Sequence, residues 1–131
     1  MDSKVGKPFQ NPQLAEFMVT SLCRDNKTKY LLHAYVIMPN HLHLILKQLS
    51  DHTLARIMHT LKGSSAYAIN KMLNRTGRFW QTENFDHLIR DDASLHEKWD
   101  YIKENPVKAR LVDKAEDYLF SSFHIPGGCA G

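Results

Sequence analysis

Apolar residues recur along this chain with two periods, and the changes of period mark its elements. Leu14, Phe17, Met18 and Leu22 fall at helical spacing, so a helix is predicted over about 12–24. Asn11-Pro12 ahead of them reads as an N-cap followed by Pro at the first helical position. The stretch 24–27 is a polar loop. The stretch 29–38 is apolar on both faces, as expected of a central strand. Pro39-Asn40 suits a tight turn, with Pro fixing the first central φ and Asn accepting positive φ at the second. A strand over about 41–47 then returns antiparallel. Ser50 or Asp51 is a candidate cap for a helix over about 52–74, whose stripe is Leu54, Ile57, Met58, Leu61, Ala68, Ile69, Met72 and Leu73. Gly63 weakens that helix locally. After a basic turn at 74–78, Phe79-Trp80-Gln81 opens an extended segment and 84–90 reads as a short strand. A helix over 93–104 should stop near Asn105, because Pro106 disfavours helical backbone before it. A short segment, Tyr118-Leu119-Phe120, closes the pattern.

The length of 131 residues fits one domain with one core. We read 1–131 as that domain, with 1–10 and 124–131 flexible. Apolar content of 43% and charged content of 24% suit a soluble globular protein. No apolar run reaches membrane-span length and no signal-peptide core is present, which points to the cytoplasm and to no membrane partner. Cys23 and Cys129 match no zinc or redox spacing, so reduced thiols are expected. A net charge of +3 permits nucleic-acid binding without arguing for it alone.

Candidate chemistry begins at His41-Leu42-His43. Residues i and i+2 of a strand share a face. His41 and His43 therefore lie with Ile45, and Leu42, Leu44 and Leu46 take the other side. Two imidazoles so spaced can converge on one cation; alternatively one is a satisfied core histidine and the other is exposed. On the later helix Leu95, Trp99 and Ile102 form the core stripe. Tyr101 falls nearly opposite Trp99, with Asn105 one turn on and on the same side as Tyr101. That tyrosine either faces an open site or is an ordinary half-exposed side chain with Asn105 as a C-terminal cap.

Five motifs occur in order: Ala34-Tyr-Val-Ile-Met-Pro-Asn-His-Leu-His-Leu44, Leu61-Lys-Gly63, Gly77-Arg-Phe-Trp-Gln81, Asp86-His-Leu-Ile-Arg90 and Tyr101-Ile-Lys-Glu-Asn-Pro-Val-Lys-Ala109. With them the chain resembles the REP-associated tyrosine transposases, within the HUH single-strand endonucleases, over about 11–122. The resemblance implies an α+β fold, a ferredoxin-like antiparallel sheet packed by helices. It implies His41, His43 and Asn105 as ligands of Mg²⁺ or Mn²⁺, and Tyr101 as the nucleophile. It implies single-stranded or hairpin DNA as substrate, nicked and transferred through a 5′-phosphotyrosine. Lys62, Arg78, Trp80, Gln81, Arg90 and Lys108 fall in the motifs as DNA-binding candidates. Tyr67 and Lys71 are further candidates by residue type. Core packing is the alternative for Trp80, and a solvated helix face for Lys71 and Arg75.

The chain also departs from that family pattern. Family members usually begin with a strand beside the histidine strand, whereas residues 1–10 make a poor strand. The histidine strand is then expected to have an open edge. Such an edge dimerises with a second copy, is covered by something else, or marks a shortened copy with impaired activity. Arg110 stands where Gly is common, which questions the turn after Asn105-Pro106. Besides the nickase, two other readings fit. One is a relative that binds hairpin DNA without cutting it. The other is a small zinc hydrolase using His41, His43 and His87.

Overall fold

The computed structural model describes residues 1–49, 51–81 and 92–124, with the backbone alone for 92–94. The fold is α+β. Its elements are α1 (Pro12–Arg24), β1 (Tyr30–Ile37), β2 (Leu42–Gln48), α2 (Leu54–Met72) and α3 (Asp92–Lys108), with 3₁₀ turns at Pro8–Gln10 and Ala115–Asp117. The Asn11 side chain accepts from the Gln13 N–H at 2.9 Å, so α1 starts on the cap its sequence specifies.

β1 and β2 pair antiparallel, with Ile37 opposite Leu42 and Val36 opposite His43. A bulge between Leu32 and Ala34 shifts the register once. Alternation then divides the core in two. Tyr35, Ile37 and Leu42 pack with Leu14, Met18 and Leu22 of α1 and with Leu61 and Ile69 of α2. Ala34, Val36, Met38 and Ile45 pack against Ile102 of α3, with Leu95 and Trp99 beside it. The histidine strand is thus held by leucines on one side and offers its other side to α3.

Short segments border the pair. Val36 bridges Ser121 on one edge. On the other, Asp2 bridges His41 and Ser3 bridges Trp80. The Leu42 N–H donates to the Met1 carbonyl (2.9 Å) and the Gln81 N–H to the Asp2 carbonyl (2.7 Å). Residues 1–10 are thus hydrogen-bonded to 39–42 and 79–81, and Met1 and Phe9 are buried in the core. They form bridges, not a strand, as their composition predicts. They also cover the start of the edge expected to be open.

Other local expectations are corrected. Thr53, not Ser50 or Asp51, caps α2, its hydroxyl accepting from the Arg56 N–H at 3.2 Å. Ser65 sits on the buried stripe between Leu61 and Ile69, while Met72 and Leu73 are exposed. Among the described residues the non-glycine positions with positive φ are Lys27, Asn74 and Arg110, so Asn40 keeps a negative φ. Helix α3 runs through Pro106 to Lys108. Proline removes only the N–H that would bond Ile102, and the Ala109 N–H still reaches the Asn105 carbonyl at 3.0 Å. No free cysteine is among the described residues, against the reduced state expected for Cys23. The predicted strand at 84–90 and the tail beyond 124 lie outside the described residues.

Candidate functional site

The stripe Leu95, Trp99 and Ile102 docks α3 on the sheet. Tyr101, one residue before Ile102, is carried to the margin of that contact and is 54% exposed. There its ring stands edge-on to His43, with centroids 5.7 Å apart. The rings of His41 and His43 are 4.8 Å apart and nearly perpendicular. Because α3 continues past Pro106, Lys108 shares the side of Tyr101, two turns on. Its ammonium nitrogen is 5.8 Å from the Tyr101 ring centroid. Half-buried Asn105 lies between them on the helix.

Burial sets the charge of the pair. His43 is pushed down to about 4, first by desolvation, then by His41 and the N-terminal ammonium, with Asp2 opposing. His41 is lowered for the same first reason, again opposed by Asp2. Both imidazoles are therefore neutral at pH 7 and keep a lone pair. The Nδ1 of His41 is 2.7 Å from the Asn40 carboxamide oxygen. That oxygen accepts a hydrogen bond from Nδ1–H, the tautomer that leaves Nε2 without a proton. The buried Nε2 of His43 has no hydrogen-bond partner. An unpartnered buried nitrogen costs about 1–3 kcal/mol, and a cation beside it would relieve that cost. The residues fit a divalent metal on this ground. Among the described residues no three His, Cys, Asp or Glu gather in one place. A third protein donor would then be of another type; Asn105 stands one turn beyond Tyr101 on α3.

The other sequence candidates divide. Lys62, Arg78, Trp80 and Gln81 line one cleft of about 750 Å³ between α2 and the segment 78–81. Trp80 is only 4% exposed and stacks on Phe9. Its indole N–H donates to Ser65 Oγ at 2.9 Å, so the packing alternative describes most of its surface. Lys108 belongs with Tyr101 instead. Tyr67 is exposed under the Lys71 ammonium and does not line the cleft. Arg90 and His87 lie outside the described residues. Two contributors were missed from sequence. Asn40 had a signal, its place directly before His41, but was assigned only to the turn. Ser65 had one too, a small hydroxyl at i+4 from both Leu61 and Ile69.

A family model described as "Transposase IS200 like" matches residues 11–105. A curated protein of Haemophilus influenzae, named as a REP-associated tyrosine transposase, is 34% identical over 101 residues. That alignment takes in 70% of this chain and 57% of the relative, so the chain spans little more than half of that protein. A solved structure of a REP-associated tyrosine transposase bound to a REP hairpin shares the fold, at a TM-score of 0.73 and 24% identity. The likeness covers 95% of this chain and 73% of that one.

Proposed function

The chain belongs to the IS200-like transposase family, among the REP-associated tyrosine transposases, and from that premise we propose that it nicks single-stranded DNA beside a hairpin and transfers the cut strand through Tyr101. The observation that carries this reading is the open phenol of Tyr101 set 5.7 Å, ring to ring, from a neutral histidine with an unpartnered buried nitrogen.

His41, His43 and Asn105 would hold the ion, Mg²⁺ or Mn²⁺. The ion supplies Lewis-acid polarisation of the scissile phosphate. Tyr101 Oη attacks phosphorus in line and loses its proton. The bond to the 3′ oxygen breaks, and that oxygen leaves as a 3′-hydroxyl after taking a proton. The 5′-phosphate stays esterified to Tyr101, and this covalent link conserves the energy of the phosphodiester. A 3′-hydroxyl on the same or another strand attacks it in reverse, so transfer needs no nucleotide triphosphate. The Lys108 ammonium remains beside the ring while charge develops on the phenolic oxygen and the phosphate. The within-chain contact of Tyr101 and His43 supports a site completed within one chain.

The test is a labelled single-stranded hairpin incubated with the protein and Mn²⁺, then resolved under denaturing conditions. A covalent protein–DNA adduct is expected, lost in Tyr101→Phe and with chelator. Hairpin binding with no adduct in either metal would overturn the reading and leave a DNA-binding protein that does not cut.

A further inference from the structure

A carboxylate stands beside the histidines on the segment that borders their strand. Asp2 bridges His41 antiparallel. The bonds around that bridge run from the Leu42 N–H to the Met1 carbonyl and from the Ser3 N–H to the Asn40 carbonyl, each at 2.9 Å. Asp2 and His41 are thus the pair that exchanges no bonds of its own, the kind whose Cα atoms come closest, about 4.5 Å apart. Side chains directly opposite share a face. Asp2 therefore projects on the side of His41 and, two residues on, of His43. The backbone that carries it is held from the other side too, by the Gln81 N–H on the Asp2 carbonyl at 2.7 Å.

Asp2 is exposed, and among the described residues its carboxylate has no hydrogen-bond or ion-pair partner. Its field still reaches both rings. Burial lowers the pKa of each imidazole, and Asp2 opposes that at each. Neutral histidines bring no charge to a dication, and an amide brings none either. Asp2 supplies the negative charge that a seat of neutral donors lacks. It does not close on the rings as a direct ligand, because among the described residues no three His, Cys, Asp or Glu gather in one place. Mg²⁺ keeps several of its waters, and a carboxylate one water out orients such a water.

We propose that Asp2 holds, through one water, the divalent ion that His41 and His43 take up, and so sets how tightly this chain binds it. The proposal rests on the metal seat of the nickase reading and adds an outer carboxylate, supplied by the bordering segment and not by the sheet or α3.

Free Mn²⁺ measured by electron paramagnetic resonance against the full chain, without DNA, reads the affinity directly. Asp2→Asn keeps the shape and removes the charge. It is expected to weaken Mn²⁺ about tenfold at low salt, the lower end of the scale for outer-shell partners. At about 0.5 M salt the deficit should shrink to about threefold or less, because an exposed carboxylate is screened. Asp2→Ser removes the charge a second way and should show the same deficit, while Asp2→Glu restores most of the affinity. Asp51→Asn is the control, an equal loss of charge at an exposed position beyond the far end of β2, and should stay within about twofold of wild type. Wild-type affinity in Asp2→Asn, an equal loss in Asp51→Asn, or a loss that salt does not change would overturn the proposal. The two readings fail separately. Weaker Mn²⁺ in Asp2→Asn, with no adduct formed by wild type, removes nicking and keeps Asp2. An adduct from wild type, with full Mn²⁺ affinity in Asp2→Asn, removes Asp2 and keeps nicking. No Mn²⁺ uptake by wild type, with or without the hairpin, removes both.

Discussion

His43 carries the sharpest consequence at the scale of single residues. Its folded pKa of about 4 lies below the ordinary 6.5 because burial disfavours the charged ring. Between those values the unfolded chain takes a proton that the folded chain refuses. Stability then rises with pH across the window and falls as pH drops from 6.5 toward 4. With metal chelated, the urea midpoint of wild type should decline from pH 7 to pH 5 more steeply than that of His43→Gln. Equal slopes would show that the ring is not desolvated. At Tyr101 the relevant neighbour is Lys108. Lys108→Met keeps the apolar stem and removes the charge, and should slow single-turnover adduct formation about tenfold, with Lys108→Arg closer to wild type. Unchanged rates in Lys108→Met would make the lysine a bystander.

At the scale of elements, the end of α3 shows how a local rule can be broken and the geometry kept. The Leu111 N–H bonds the Pro106 carbonyl at 2.9 Å and the Arg110 N–H bonds the Val107 carbonyl at 3.0 Å. This is the paired bonding of a Schellman cap, whose turning residue must be left-handed. Arg110 takes that position at φ +61. α2 ends alike, with Asn74 at φ +53 and the Arg75 N–H bonding the Asn70 carbonyl at 2.9 Å. Asn tolerates that conformation; Arg is strained in it. Arg110→Gly should therefore stabilise the protein by about 0.5–1 kcal/mol, net of the entropy glycine adds to the unfolded chain. A rise of roughly 2–5 °C in the melting temperature would record it. A lower melting temperature would mean that the Arg110 side chain makes a contact that outweighs the strain.

That same helix marks what could be read in advance. The pairing of Tyr101 with Asn105, and their place off the Leu95, Trp99 and Ile102 stripe, follow from helical phase. The strand assignments follow from alternation, and the α1 start from Asn11-Pro12. The helix beyond Pro106 was not legible, because proline's preference acts on single residues and a docked helix overrides it. The tethering of residues 1–10 was not legible either. It arises from backbone bonds to 40–42 and 79–81, and backbone bonds leave no side-chain pattern. The common cleft of Lys62, Arg78, Trp80 and Gln81 needed the fold, since Lys62 and the 78–81 segment are joined only when α2 and that segment pack.

At the scale of the whole molecule, the question is whether one chain builds the site alone. The imidazoles come from β2 and the turn before it, and the phenol comes from a helix some 60 residues later. They meet because α3 buries Ile102 against Ile45 and Val36 of the same sheet. An exchange of α3 between two copies would place the same groups together, but it would break and rebuild this core. The His43–Tyr101 contact within one chain is complete without such an exchange, so catalysis should act in cis. His43→Ala chains mixed with Tyr101→Phe chains are then expected to form no adduct, even after joint unfolding and refolding. If the helix were shared between copies, a mixed dimer would contain one intact site, and about half of the mixed dimers' sites would be restored, as equal partition of two subunits dictates. Recovery of adduct on mixing would therefore assign Tyr101 to the neighbouring subunit's histidines, whatever the solution size of the protein proves to be.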